Sequence, residues 1–397
     1  MRIFICAGEP SGDLHGANLV RALRLLRPGV QCVGYGGERM TEAGCKILYP
    51  LCSLAVMGLL KVLTNAHRFL RLLFQTNGHF KNDRPDAVIL IDYPGFNWWV
   101  AKLAHSKGIP VFYFVPPQLW AWAGWRVKKM RKNVDHVLCN LPFEEAWYKE
   151  RGVQAHYIGH PYFDELPRQR LDPDFVSEQQ ARMGTVIGLL PGSRTQEVEH
   201  NLTTLVRSAT AIHAAKPETR FLFACFKRSH QEYVDRYLQS HGLSCIETCC
   251  GRTAEIIHLS HVCIAVSGSV GLELLYREKP SVIVYRARKL LLPLIRFFKR
   301  SKYISLVNLL AEEELFPEFL TDRCESLAVT GHVLHWLNST TEYQRKCAEL
   351  AKLKHRVAET GACERGASFV LTKLESKNHI EQQRDSFSRE LLRARAG

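Results

Sequence analysis

Apolar residues in this chain gather into short unbroken runs separated by longer stretches of helical periodicity. Runs at residues 2–7, Val30–Gly34, Ala87–Asp92, Val111–Val115, His136–Cys139 and His156–Ile158 predict strands, and their alternation with helices predicts a doubly wound parallel sheet. A polar, proline-bearing segment, 164–174, follows and reads as an interdomain connection. The pattern then restarts, with strands at Val186–Leu190, Phe221–Cys225, Val262–Val266 and Ser281–Tyr285 and with helices beginning at Gln196 and Val270. From about Thr341 the chain is charged and helical, a tail expected to pack back on the first domain and to fray beyond about Ser376. The expected boundaries are a first α/β domain at 1–165, a linker at 166–183, a second α/β domain at 184–340 and the tail at 341–397. Two domains also suit a length of 397 residues, which exceeds a usual single core.

Each half carries a glycine-rich turn between an apolar run and a helix: Ala7-Gly-Glu-Pro-Ser-Gly-Asp13 and Leu190-Pro-Gly-Ser-Arg-Thr-Gln-Glu197. Glycine lets backbone N–H groups approach an anion, and a helix N-terminus adds roughly half a positive charge. The repetition predicts two such turns facing one cleft. Neither contains the Gly-Lys-Ser/Thr of a nucleotide-hydrolysing phosphate loop.

A formal charge of +14 calls for an anionic partner: nucleic acid, an anionic membrane surface or a phosphorylated substrate. Basic residues stand beside apolar ones, as in the stretch from Leu290 to Lys302, which favours a membrane surface over nucleic acid. The stretch from Leu51 to Phe74 has the same mixture, and Trp98, Trp99, Trp120, Trp122 and Trp125 supply aromatic surface for packing or for a lipid or sugar pocket. The 13 cysteines form no CxxC pair, and the histidines show no HxxxH or HExxH spacing, so neither a zinc site nor a disulfide framework is expected. Asp172-Pro-Asp174 has the spacing of a metal-binding DxD but suits a turn better. The N-terminus enters a strand without a signal peptide, and no apolar run reaches spanning length, so a cytoplasmic location is expected.

Ordered motifs now carry a family resemblance. AGEPSGD at 7–13, LAVMG at 54–58, IDYPGFN at 91–97, LWAW at 119–122, LPFE at 141–144, IGHP at 158–161, LLPGSRTQEVE at 189–199, SGSVGLELL at 267–275, VYR at 284–286 and YISLVNLL at 303–310 occur in one order. Over about residues 1–330 the chain resembles the lipid-A-disaccharide synthases, glycosyltransferases of two facing Rossmann-like domains (GT-B). The resemblance implies transfer of a 2,3-diacylated glucosamine from UDP to the 6-hydroxyl of 2,3-diacylglucosamine 1-phosphate (lipid X), with inversion to a β-1,6 bond and release of UDP. It further implies metal-independent transfer with no cofactor, peripheral association with the cytoplasmic face of the inner membrane, and a homodimer with exchanged C-terminal segments. Two other readings stay open: another UDP-sugar enzyme of the same fold, such as a 2-epimerase or polyprenyl-lipid transferase, and a catalytically silent membrane-surface binding protein.

The resemblance also assigns roles. Asp92, at the end of an apolar strand and before Tyr93-Pro-Gly95, is the general-base candidate, with Glu9 and Asp13 of the first turn as rivals. Gly192, Ser193 and Arg194 are expected at the diphosphate, Ser267, Gly268 and Ser269 at the nucleotide sugar, Glu273 at the ribose hydroxyls, and Asn308 on the donor side. Ser269, Val270 and Gly271 depart from the family's usual Ser-Gly-Thr-Ala-x-Leu-Glu, and Pro116-Pro117-Gln118 replaces its serine-rich segment.

Overall fold

The computed structural model describes residues 1–52, 66–287, 289, 292–293 and 301–376. LAVMG at 54–58, most of the apolar-basic stretch from Leu290 to Lys302 and the tail beyond Ser376 lie outside them. The chain forms two compact units, Met1–Asp164 with the C-terminal segment from Thr360, and Glu165–Glu359. Both are doubly wound α/β layers, as the periodicity predicts.

The first sheet contains β1 (Arg2–Ala7), β2 (Gln31–Tyr35), β3 (Lys46–Tyr49), β4 (Ala87–Ile91), β5 (Val111–Phe114), β6 (His136–Cys139) and β7 (Ala155–Tyr157) in the order β3-β2-β1-β4-β5-β6-β7. The second contains β8 (Thr185–Leu190), β9 (Thr219–Cys225), β10 (Ile246–Cys250), β11 (Val262–Val266), β12 (Ser281–Arg286) and β13 (Glu318–Thr321) in the order β10-β9-β8-β11-β12-β13. Every neighbouring pair is parallel. Central strands such as β4 and β11 are buried throughout, which is why they read as continuous apolar runs. The periodicity misses β3, β10 and β13. All three lie at sheet edges and are partly exposed, so polar residues interrupt their apolar runs.

Alternation along β1 divides the first unit's core. Phe4 and Cys6 join Tyr35, Leu72, Trp98 and Met130 on one face. Ile3 and Ile5 join Ala17, Leu19 and Leu23 of the helix Pro10–Leu26 on the other, together with Cys363, Ala367, Val370, Leu371 and Leu374. Those last five recur at helical spacing along 362–376, so a C-terminal amphipathic helix closes the first unit. The helix Thr340–Val357 belongs instead to the second unit, as does Pro173–Ala181, which occupies the expected linker. Asp172 caps the latter by accepting from the amides of Asp174 and Phe175, and pairs with Arg252 at 2.6 Å.

One carboxylate fastens the returning segment. Asp164 accepts from the amides of Gly361 at 2.6 Å, Ala362 at 3.1 Å and Cys363 at 2.8 Å, and Arg365 Nε donates to the Ile158 carbonyl at 2.8 Å. Nearby, the buried rings of His15 and His160 meet edge to face at 6.1 Å. Burial pushes His15 down to about 4 against the pull of Asp164, and pushes His160 down to about 3 with help from His15.

Asp164→Ala should cost about 1.5–3 kcal/mol in urea unfolding, because it strands three amides at a buried helix start, and should expose the segment after Glu359 to protease. Unchanged stability and cleavage would refute this role. The unfolded chain takes up protons on His15 and His160 below pH 6.5, whereas the folded chain refuses them until about 4 and 3. Stability is therefore present above pH 6.5 and lost as pH falls, at about 1.4 kcal/mol per unit for each ring. A His15→Gln/His160→Gln variant should show the shallower loss between pH 7 and 5; an equal loss would remove the pair as its source.

Candidate active site

In each sheet the chain leaves a central pair of strands in opposite directions, and in open α/β sheets ligands bind beyond the carboxyl ends at that switch point. In the first unit the pair is β1 and β4, in register at Ala7 and Ile91. The residues that follow are Gly8-Glu9 and Asp92-Tyr93. In the second unit the pair is β8 and β11, with Leu190 opposite Ala265. Pro191-Gly-Ser-Arg194 and Ser267-Gly-Ser269 follow.

Asp92 and Tyr93 both have left-handed backbone, at φ 43° and 47°, which for non-glycine residues costs of order 1–3 kcal/mol each. Surrounding bonds hold Asp92 there. Its amide donates to the Val115 carbonyl at 3.2 Å, and its carbonyl accepts from the Tyr113 hydroxyl and Asn97 Nδ2, both at 2.7 Å. Burial, reinforced by the charge of Asp92, pushes the Tyr113 phenol well above its ordinary range, which keeps it a donor. Gly8 is required beside this loop, since a Cβ would fall inside the Tyr93 ring.

The rival carboxylates are placed differently. Glu9 precedes the helix Pro10–Leu26 in extended backbone and makes no side-chain cap bond. Asp13 is 6% exposed and accepts from the amides of Gly37 at 2.7 Å, Arg39 at 3.1 Å and Met40 at 3.2 Å. It thereby fixes the start of the short helix Glu38–Glu42.

In the second unit Gly192 has φ 94°, and a Cβ there would collide with the Glu197 carboxylate. That carboxylate reaches back to accept from the Arg194 amide at 3.2 Å and pairs with its guanidinium at 3.0 Å. Ser193 and Arg194 are exposed at the start of the helix Thr195–Ala215, the Arg194 side chain by 73%. Ser267 donates to the Ile304 carbonyl at 2.9 Å, while Gly268 and Ser269 stand exposed before the helix Val270–Tyr276. A Cβ on Gly271 would make only ordinary contact with Val307.

Glu273 is 3% exposed and pairs with Arg277 at 3.2 Å, which also donates to Gln169 at 2.8 Å. Asn308 is fully buried, giving Nδ2 to the Phe316 carbonyl at 2.7 Å and to Glu318 at 3.0 Å while accepting from the Phe316 amide at 2.8 Å. In this arrangement Asn308 joins the helix Leu306–Ala311 to β13.

Sequence reasoning overlooked four supporting residues. Asn97, buried five residues after Asp92, is signalled only by a polar residue in an apolar helix. Glu318 accepts from the amides of Ile304 at 2.8 Å and Ser305 at 2.9 Å, bracing the segment that receives Ser267; nothing local marks it. Glu144 is buried, accepts from Trp120 Nε1 at 2.8 Å and from the Asn140 and Leu141 amides, and is pushed up to about 7 by burial. It unites LWAW with LPFE. His230 stands 3.1 Å from Thr195. Among the described residues no group of three or more His, Cys, Asp or Glu side chains is placed to hold a metal.

The family described as "Lipid-A-disaccharide synthetase" matches residues 3–372. The chain belongs to the lipid-A-disaccharide synthase family. The lipid-A-disaccharide synthases of Anaeromyxobacter sp. (strain K) and Myxococcus xanthus (strain DK1622) are each 33% identical to it, over 93% of this chain and 97% of theirs. That of Coxiella burnetii (strain Dugway 5J108-111) is 33% identical over the same shares. In structure the chain resembles S. aureus MnaA solved with UDP, at TM-score 0.68 and 11% identity over 94% of this chain and 97% of that one. It also resembles the Methanocaldococcus jannaschii UDP-GlcNAc 2-epimerase, at TM-score 0.62 and 13% identity over 94% of this chain and 100% of that one. At such identities these likenesses concern the fold alone. The lipid-A-disaccharide synthases are hexosyltransferases, and this chain accordingly joins a UDP-2,3-diacylglucosamine donor to a 2,3-diacylglucosamine 1-phosphate acceptor, forming a β-1,6 disaccharide and UDP.

Gly192→Ala should perturb the second turn twice over, through the left-handed φ and through displacement of Glu197. Calorimetric titration is expected to show UDP binding at least several-fold weaker, with global unfolding shifted by about 1 kcal/mol or more. Wild-type affinity would mean that the turn's shape does not matter to the nucleotide.

Proposed function

We propose that Asp92 is the base of the transfer and that the turn at Gly192, Ser193 and Arg194 holds the departing diphosphate. The coincidence of each glycine turn with the switch point of its sheet carries this reading. Asp92 takes the proton from the acceptor 6-hydroxyl; the alkoxide oxygen attacks the anomeric carbon of the donor; the bond from that carbon to the diphosphate breaks as the new β bond forms. The strained, pinned backbone of Asp92 supports it as base, because a general base must be held within hydrogen-bond reach of the proton it removes. The Thr195–Ala215 helix N-terminus and the Arg194 guanidinium would stabilise charge on the leaving UDP without requiring a metal. Glu9 is left with the acceptor side, Ser267, Gly268 and Ser269 with the nucleotide sugar, and Glu273 with the ribose.

We further propose peripheral attachment at the cytoplasmic face of the inner membrane. Among the described residues no helix is long and apolar enough to cross a membrane. In the first unit, however, Leu70, Phe74, Trp99 and Trp125 are 57%, 75%, 58% and 59% exposed, on or beside neighbouring helices that also expose Arg68, Arg71, Arg126, Lys128 and Lys129. Apolar tips among cations suit an anionic lipid surface.

Asp92→Asn should lower turnover by about 10²–10⁴-fold with UDP affinity unchanged. Arg194→Ala should weaken UDP about tenfold or more. UDP release from the acylated donor plus lipid acceptor, set against UDP-N-acetylglucosamine alone, separates this transferase from an epimerase. The reverse assignment of losses between the two variants would overturn the roles.

A further inference from the structure

The end of β9 places a histidine against the turn that follows β8. His230, in the first turn of the helix Arg228–Ser240, is 2% exposed, and its Nε2 lies 3.1 Å from Oγ1 of Thr195. Its Nδ1 is buried and has no hydrogen-bond partner among the described residues. Thr195 itself is exposed, the first residue of the helix Thr195–Ala215 and the neighbour of Arg194.

The chemistry of the ring decides which way this bond runs. Burial, with Lys227 assisting and Glu199 opposing, holds His230 below its ordinary pKa, so the imidazole is neutral and carries one N–H. A proton on Nδ1 would be a buried donor with no acceptor. A proton on Nε2 is satisfied by Thr195 and leaves only a lone pair unmatched, which costs less. His230 therefore donates to Thr195 Oγ1. The hydroxyl then keeps its own proton for a different acceptor, at an exposed helix start favourable to anions.

We propose that Thr195 is a further ligand of the nucleoside diphosphate, donating its hydroxyl proton to a diphosphate oxygen, and that His230 is the positioning residue that orients it. This rests on the reading of the second glycine turn as the diphosphate cradle and adds a side-chain donor to it.

Calorimetric titration with UDP and with uridine tests the pair. Thr195→Val should weaken UDP about tenfold or more and leave uridine unaffected, while Thr195→Ser keeps wild-type affinity. His230→Leu should reproduce the loss, and adding it to Thr195→Val should cost nothing further, because the two act as one unit. His230→Gln, whose amide nitrogen can replace Nε2, should restore most of the affinity, a rescue that a merely structural histidine would not show. The proposal is overturned if Thr195→Val binds UDP normally while Arg194→Ala does not, or if the His230 and Thr195 losses add. Normal UDP binding by Arg194→Ala would instead remove the cradle itself. Thr195 is exposed, so its variants and His230→Gln remain informative should His230→Leu fail to fold.

Discussion

Parallel pairing is the constraint on which the rest of the molecule depends. Because all strands of a sheet run the same way, every strand delivers its following loop to one edge, and the sheet can grow in two directions only by leaving a gap where the winding reverses. That gap falls between β1 and β4 in one unit and between β8 and β11 in the other. Loops on either side of it cannot be bridged by the next crossover helix. Backbone amides, glycines and short polar side chains therefore reach an open crevice there. The glycine turns owe their importance to this placement more than to their composition.

Buried or half-buried carboxylates then secure the loops. Asp13 gathers three amides after β2, Asp164 gathers three more at the returning helix, Glu144 joins a tryptophan to two amides, and Glu318 supports the segment beneath Ser267. Each satisfies donors that would be costly to leave unpaired in a largely apolar setting. The two acids of the first crevice are held differently: Asp13 is surrounded by amides that it holds, whereas the Asp92 backbone is fixed by other groups. Asn97 and Tyr113 hold the Asp92 main chain through its carbonyl.

The two glycine turns share a frame and differ in chemistry. In the first, Gly8 admits the Tyr93 ring and Asp13 points into its own unit. In the second, Gly192 admits Glu197, which steadies Arg194 at an exposed helix start, and the turn is further buttressed by His230 through Thr195. A cation at a helix N-terminus suits a leaving diphosphate; a carboxylate at the other switch point suits a hydroxyl.

The sequence by itself determined the parallel α/β class, the central strands and the family, because strands buried on both faces must be apolar throughout and the motifs are local. It did not reveal β3, β10 or β13, since edge strands are covered on fewer sides and tolerate polar residues. Nor did it separate Asp13, Asp92 and Asn308, which are equally polar letters beside turns. Tertiary structure gives them different surroundings, because which groups a carboxylate or amide meets depends on what the fold brings to it from a distance. Amides 24 to 27 residues away claim Asp13, a loop eight residues on claims Asn308, and Glu318 reaches back 13 and 14 residues to hold the loop below the second crevice. Partners at such separations leave no periodic trace.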